Sequence, residues 1–188
     1  AAQVRGIVAT AVETALQSGG GSAAVQAIIS GAVEGSASAD GGGEGQSLVG
    51  DIVSSAVETA VKSDSGGGEK ASDMVLDIVA TAIETNAATA DAGAGASTEA
   101  VGDIVSSAVR SAVASSPDAG AELATELVKD IVTVAIETST ESSEDSAGLV
   151  KVIAASSVEA VLLTVEDSAQ VTELVQATTT GAVIGAVA

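Results

Sequence analysis

The chain contains no histidine, no cysteine and no aromatic residue. Without histidine or cysteine, a Ser-His-Asp triad, a Cys-His pair and the common zinc and iron sites are excluded. Without aromatic rings, the chain offers no stacking platform for a sugar or a base. A serine–lysine pair stays open to Lys62, Lys70, Lys129 and Lys151, but no motif surrounds any of these lysines. We therefore expect that the protein is not an enzyme.

Basic residues are scarce, with 6 lysines and arginines against 26 acids and a net charge of −20. A polyanion repels phosphate backbones and anionic lipid surfaces, so we expect no nucleic-acid partner and disfavour a membrane partner. The charge-free run 14–33 is long enough to span a bilayer, but glycines interrupt it. The second charge-free run, 174–188, is too short.

The first residues, Ala1, Ala2 and Gln3, include no initiator methionine, no charged leader segment and no apolar one. Such a start is typical of a processed chain. The absence of cysteine is compatible with export and excludes disulfide bonds. We expect the protein to lie outside the cell or at its surface.

One phrase, Val-Gly-Asp-Ile-Val-Ser-Ser-Ala-Val, occupies residues 49–57 and recurs unchanged at 101–109. With Ile52 taken as position 0, its template of valine at −3, aliphatic residues at 0 and +1, alanine at +4 and valine at +5 recurs eight times with variation. Serine and threonine replace alanine at +4 in the last two copies, and isoleucine or threonine replaces valine at +5 in three copies. The residues at position 0 are Ile7, Ile28, Ile52, Ile78, Ile104, Ile131, Ile153 and Leu174. At about 100° per residue these positions share one stripe of a helix, and the acids at −1 and +6 lie opposite. The template predicts amphipathic helices.

The predicted fold is all-α, with eight short amphipathic helices in one domain spanning residues 1–188. Repeats three and five share one phrase, and repeats four and six share another, which indicates a helical hairpin of about 52 residues as the repeated unit. Four tandem hairpins make an α-solenoid-like or two-layer helical array. Pro117 is expected at the start of the sixth helix and Asp167 at the cap of the eighth. The predicted helices are near 2–17, 23–36, 46–62, 71–87, 98–114, 118–138, 147–164 and 168–187.

Acidic residues recur between the helices, where glycine and serine are also frequent. Carboxylate oxygens are the ligands that calcium prefers, so these residues are candidate calcium ligands between adjoining subunits. They match no EF-hand loop, and the alternative interpretation is a set of solvated turns and helix caps. The candidates are Asp40, Glu44, Asp64, Glu69, Glu141, Glu144 and Asp145.

The last repeat differs from the others because Thr180 replaces the acid at +6 and the chain continues as Gly-Ala-Val-Ile-Gly-Ala-Val-Ala. One interpretation is a final helix buried in its own domain. The other is an uncapped end that docks on the next copy, because solenoid ends are normally capped by a polar face. The second interpretation assigns self-association to Val175, Val183, Ile184 and Val187.

The apolar stripes widen to about 180° when residues at −4 are included, which exceeds what contact with one neighbouring helix requires. We therefore predict a structural, self-assembling protein whose copies form a filament, sheath or layer outside the cell. A soluble α-solenoid that binds a partner is a second hypothesis, although only Arg5 and Arg110 are available as anchors of the usual kind. An amphipathic-helix coat on an apolar granule is a third.

Overall fold

The structure is a computed structural model that describes residues 2–39, 44–63, 69–89, 98–115, 121–141, 143 and 145–187. These residues form helices joined by short connections, and no strand occurs among them. The helices are α1 (Ala2–Gln17), α2 (Gly21–Ala39), α3 (Glu44–Ser63), α4 (Glu69–Thr89), α5 (Thr98–Ser115), α6 (Ala121–Glu141), α7 (Ser146–Thr164) and α8 (Ser168–Val187).

The all-helical prediction is confirmed, and the helical period of valine and isoleucine outweighs their preference for strands. α1 and α8 have the predicted bounds. α2 begins earlier than predicted, at Gly21, because a tight turn ends α1. In that turn the Gly20 amide donates to the Ala15 carbonyl at 2.9 Å, and Gly19 and Gly21 have φ values of 73° and 59°. The predicted helix start at Pro117 lies outside the described residues.

The helices pack in two layers. α1, α3, α5 and α7 lie side by side in one layer, and α2, α4, α6 and α8 lie side by side in the other. Each helix also packs on its neighbours in sequence, which belong to the opposite layer. Helices within a layer run parallel, because contacting residues keep a constant separation: Ser22 donates to Asp77, and Thr85 to Ser30, both 55 residues apart.

Equivalent repeat positions meet at each step of the odd-numbered layer. The residue at −2 of one helix lies against the residue at +3 of the next, in the pairs Arg5 with Ser55, Gly50 with Ser107 and Gly102 with Ser156. The Ser55 hydroxyl donates to the Arg5 carbonyl at 2.8 Å. A Cβ placed on Gly50 or Gly102 would lie 2.9 Å from the facing serine Oγ. The two copies of the repeated phrase thus use their glycine for the same close approach.

A second pairing recurs in both layers. The residue at +2 of one helix lies against the residue at +7 of the next, in the pairs Ser54 with Ser111, Ser30 with Thr85 and Thr133 with Gly181. The two pairings share the same axial shift of five residues. These pairings relate α1 to α3, α3 to α5, α5 to α7, α2 to α4 and α6 to α8 by one repeated packing step.

The core lies between the layers and is formed by the predicted stripe. Its largest fully buried side chains are isoleucines and leucines from seven helices, together with Val12. In α3 to α6 the stripe is buried at positions −3, 0, +1, +4 and +5, and at −4 Leu48 and Met74 are partly exposed. Each of these helices has a neighbour on both sides of its layer as well as the opposite layer. In α3 to α6 the exposed residues are mostly charged or polar. Most of the apolar stripe, which was predicted to be too wide for burial within one molecule, is therefore buried within the chain, except at the two ends of the array.

Local hydrogen bonds explain the departures from the template in the last two helices. Position +4 is alanine in the first six repeats and becomes Ser157 in α7 and Thr178 in α8. Both hydroxyls are buried and donate to the carbonyl four residues earlier, at 2.7 and 3.0 Å. Asp167 caps α8 as predicted, since its carboxylate accepts from the amides of Ala169 and Gln170, each at 2.9 Å.

Candidate self-association surfaces

Position 0 of the repeat distinguishes the first end of the array from its interior. The residues at position 0 of α3 to α8 are fully buried, from Ile52 to Leu174. In α1 the same position holds Ile7, which is 70% exposed, and in α2 it holds Ile28, which is partly exposed. The residue type is the same, and Ile7 and Ile28 are exposed because no described helix packs on that side of α1 or α2.

Position +5 distinguishes the opposite end. It is fully buried in α1 to α6, for example at Val57 and Ile136. In α7 it holds Val158, which is partly exposed, and in α8 it holds Thr179, which is exposed. Position +1 follows the same rule in α8, where Val175 is partly exposed. One end therefore exposes the side of a helix that normally contacts the preceding helix, and the other end exposes the side that normally contacts the following helix. These two sides are complementary inside the array.

All the exposed large apolar residues of the described chain belong to end helices. They are Ile7 on α1, Leu162 and Leu163 on α7, and Val183, Ile184 and Val187 on α8. Three of the four residues predicted for self-association are thus exposed, and Val175 packs partly against the core. The exposure of Ile7, Leu162 and Leu163 was not predicted from the sequence. The exposure of Ile7 could have been inferred from the repeat itself. Ile7 occupies the apolar core position of the first copy, before which the sequence shows no other copy to cover it.

We define the N-end face as the side of α1 and α2 on which a preceding helix pair would lie. On α1 it is a shallow groove lined by Gln3, Gly6, Ile7, Thr10, Ala11, Thr14, Ala15 and Ser18. On α2 it includes Gly31 and Gly35, where an added Cβ would meet no atom within 4 Å. These residues are uncharged, in a chain whose net charge is −20.

We define the C-end face as the side of α7 and α8 on which a following helix pair would lie. Helical geometry places there Lys151, Ala155, Val158 and Leu162 of α7, and Thr172, Val175, Gln176, Thr179 and Val183 of α8. Lys151 is the charged residue in this set. The acids of α7 and α8, Glu159 and Glu173, lie at the outward positions.

Part of the terminal sequence that was predicted to be adhesive is buried on the chain itself. Gly181 and Gly185 are buried against α6. A Cβ on Gly181 would overlap the Lys129 carbonyl oxygen, and one on Gly185 would lie 2.8 Å from the Thr133 carbonyl oxygen. Because glycine has no side chain, the backbone of α8 lies close to that of α6 at both positions. One side of the final helix is buried in its own domain, as the first interpretation predicts, and the other side is exposed. Docking of that exposed side on the next copy stays a prediction.

Most of the calcium candidates have no described side chain. Asp40, Asp64 and Glu144 are not described, and Glu44 and Glu69 begin α3 and α4 without described side chains. Glu141 is exposed at the end of α6. Asp145 serves as the N-cap of α7, where its carboxylate accepts from the Gly148 amide at 3.0 Å. Within the described ranges, no three acids form a group that could hold a metal ion.

The described lysine and acid side chains are mostly arranged along the outside of the helices. Lys62 pairs with Glu58 on the same helix, and Lys129 lies 3.2 Å from Asp130. Arg5 links α1 to α3, with its Nε 3.3 Å from Asp51 and a hydrogen bond of 3.0 Å to Ser54. These pairs stabilise helices and their packing, and they form no arrangement of nucleophile and base.

Asp103 of α5 is the residue whose ionisation is disfavoured by its surroundings. Partial burial raises the pKa of its carboxyl, and the charge of Glu99, one turn earlier, raises it further. Asp51 occupies the same repeat position in α3 and faces Arg5 of the preceding helix. The residue equivalent to Arg5 is Gly50, which brings no cation to Asp103.

α7 has the length and composition of a membrane-crossing helix, with a mean hydropathy of 1.7. Its buried side packs on its own chain through Leu149, Ile153, Ser157, Ala160 and Val161. Its apolar character on both sides follows from its place in the array, where one side contacts α5 and α8 and the other is the C-end face.

No protein-family model matches the chain, and no curated protein matches it in sequence.

Proposed function

We propose that the protein is a structural, self-assembling protein whose copies associate into a filament, sheath or layer outside the cell. The observation that carries this proposal is the distribution of exposed apolar side chains. Among the described residues, the large ones lie on α1, α7 and α8, at the two ends of the array. A solenoid that acts alone needs polar end faces to stay soluble, whereas one that assembles does not.

The alternatives have less support in the described residues. A binding module presents aromatic and arginine anchors on a groove, and this chain has no aromatic residue. A granule coat keeps its helices apart until an apolar surface orders them, whereas α1 to α8 bury their stripes on one another. Cores built from small aliphatic side chains gain from further burial between subunits.

Sedimentation velocity over a wide range of protein concentration, followed by negative-stain microscopy of the same samples, tests the proposal. We expect the mean mass to rise with concentration and the largest species to be regular particles of constant width. Circular dichroism in plain buffer should show a helical chain at every concentration, since the monomer already has a core. A helical chain that stays monomeric at the highest concentrations would contradict the proposal.

A further inference from the structure

We propose that copies associate head to tail, with α7 and α8 of one copy packed in parallel on α1 and α2 of the next. This inference rests on the proposed function and specifies its interface. The two helical layers then continue from copy to copy by the same packing step that relates α5 to α7 and α6 to α8. The occupant of each end face is a second copy of this chain.

The burial pattern points to this occupant. Inside the array, position 0 of a helix is covered by the preceding helix in its layer, and position +5 by the following one. At the ends these positions are left open at Ile7 and Ile28 on one side, and at Val158 and Thr179 on the other. If the two ends join, the exposed residues at position 0 and those at position +5 are covered by a neighbouring helix in the same contact.

The internal pairings fix the register of the contact. Position −2 meets +3 in the odd layer, which places Lys151 beside Thr10 of the next copy. Position +2 meets +7 in both layers, which places Ala155 beside Thr14 and Gln176 beside Gly35 of the next copy. Gly35 has open space around its missing Cβ, as a close approach by α8 requires.

The charges permit the contact despite the acidity of the chain. The N-end face residues are uncharged, and the C-end face contributes the cation Lys151. Position −1, where Asp51 and Asp77 meet the preceding helix, holds Gly6 in α1 and Ala27 in α2. The acids at +6 lie on the outward side of each layer, so two copies meet without opposing carboxylates. Because the two faces differ, the contact is heterologous, and repetition gives an open filament unless the rotation closes a ring.

A pair of half-blocked variants tests the arrangement. The first carries Thr14→Glu and Gly31→Glu on the N-end face, and the second carries Ala155→Glu and Gln176→Glu on the C-end face. All four residues are exposed, so the helical fold should survive, as circular dichroism will verify. The matched control carries Ala114→Glu and Thr180→Glu, which add the same charge at exposed outward positions.

We expect each half-blocked variant to be monomeric by sedimentation, and the control to assemble like the unmodified chain. An equimolar mixture of the two half-blocked variants should form a one-to-one dimer and grow no further, because each supplies the face that the other lacks. A half-blocked variant that dimerises alone would show that an end face binds the same face of another copy, which would overturn the head-to-tail arrangement. So would a mixture that stays monomeric while the unmodified chain assembles.

A monomeric unmodified chain would overturn the proposed function together with this interface, and would assign the end faces to another occupant. Failure of the interface alone leaves assembly of the unmodified chain intact, so the two failures are distinguishable.

Disulfide trapping gives an independent measurement, because the chain has no cysteine of its own. The variant Thr14→Cys with Ala155→Cys should oxidise to a ladder of covalent multimers on a denaturing gel. The control Thr14→Cys with Glu159→Cys moves the second thiol one helical turn along α7 to its outward side, and should give no ladder. Equal ladders from both variants, or none from the first, would contradict the register.

Discussion

At the scale of single residues, the position within the repeat determines the residue type, whereas the place of the helix in the array determines how far that residue is buried. Ile104 and Ile7 occupy the same template position, yet the first is fully buried and the second is 70% exposed. Their side chains are identical, so the difference arises from the neighbouring helix. The loss in free energy of unfolding when each side chain is truncated should therefore show how much the neighbouring helix contributes.

We predict that Ile104→Ala lowers the free energy of unfolding by about 2–5 kcal/mol, because it removes buried methyl groups and leaves a cavity. Ile7→Ala should change it by less than about 0.5 kcal/mol in the dilute chain, because Ile7 lies in solvent there. Urea denaturation of both variants at low protein concentration measures the two values. A large loss for Ile7→Ala in monomeric protein would show that its side chain is covered within the chain.

The second residue-scale prediction concerns Asp103. Because its pKa is higher in the folded chain than in the unfolded chain, folding favours the protonated carboxyl. The stability that this preference contributes is full below the unfolded value of about 3.8 and is lost as the pH rises through the folded pKa. Asp103→Asn should therefore be more stable than the unmodified chain at pH 7, by about 0.2–0.5 kcal/mol from the repulsion with Glu99.

Thermal unfolding at several pH values measures this effect, and the advantage of Asp103→Asn should disappear below about pH 3.8. The matched control is Asp51→Asn, at the same repeat position of α3. It breaks the ion pair with Arg5 and should lower stability at pH 7. Equal effects of the two substitutions would contradict the assignment of the Asp103 shift to burial and Glu99.

At the scale of helices, the pairing of α6 with α8 depends on glycine. Gly181 and Gly185 lie one turn apart on the side of α8 that contacts α6, where their missing side chains allow the backbones to approach. Gly31 and Gly35 have the same spacing on the N-end face of α2, where a Cβ on either would meet no atom of the described residues within 4 Å. One glycine pair is thus already used in folding, and the other is open.

We predict that Gly181→Ala destabilises the chain by about 1–3 kcal/mol, because the new methyl group overlaps the Lys129 carbonyl and separates α8 from α6. Gly31→Ala should instead stabilise the monomer by about 0.5–1 kcal/mol, because alanine favours the helix and the methyl meets open space. Chemical denaturation of each variant under monomeric conditions distinguishes the two signs. A stabilising Gly181→Ala would contradict the close packing of α8 on α6.

At the scale of the whole molecule, assembly is a balance between uncharged end faces and a net charge of −20 per chain. The apolar contact between end faces acts only at short range, whereas the acids of two copies repel each other over a distance that depends on the salt concentration. The Debye length falls from about 30 Å at 0.01 M to about 10 Å at 0.1 M ionic strength. Screening therefore weakens the repulsion and leaves the apolar contact.

We predict that raising sodium chloride from about 0.01 to about 0.15 M lowers the protein concentration at which assembly begins. Light scattering against concentration at each salt level measures that threshold. Potassium chloride at equal ionic strength should act equally, while a much larger effect of calcium at equal ionic strength would indicate specific bridging by carboxylates. A threshold that rises with salt would contradict an apolar interface between polyanions.

The sequence by itself determined the helices, their number, the stripe that forms the core and the hairpin period. These follow from spacing: valine and isoleucine recur with the helical turn, and glycine and serine interrupt them. Tertiary structure alone decided which copies of an identical position are covered. Ile7, Ile52 and Ile104 are equivalent in the repeat, and burial depends on whether a parallel neighbour lies on each side, which the local pattern of one helix does not contain. For the same reason the terminal glycines, read from sequence as part of an adhesive tail, belong to the interior of the fold, while the valines beside them remain open.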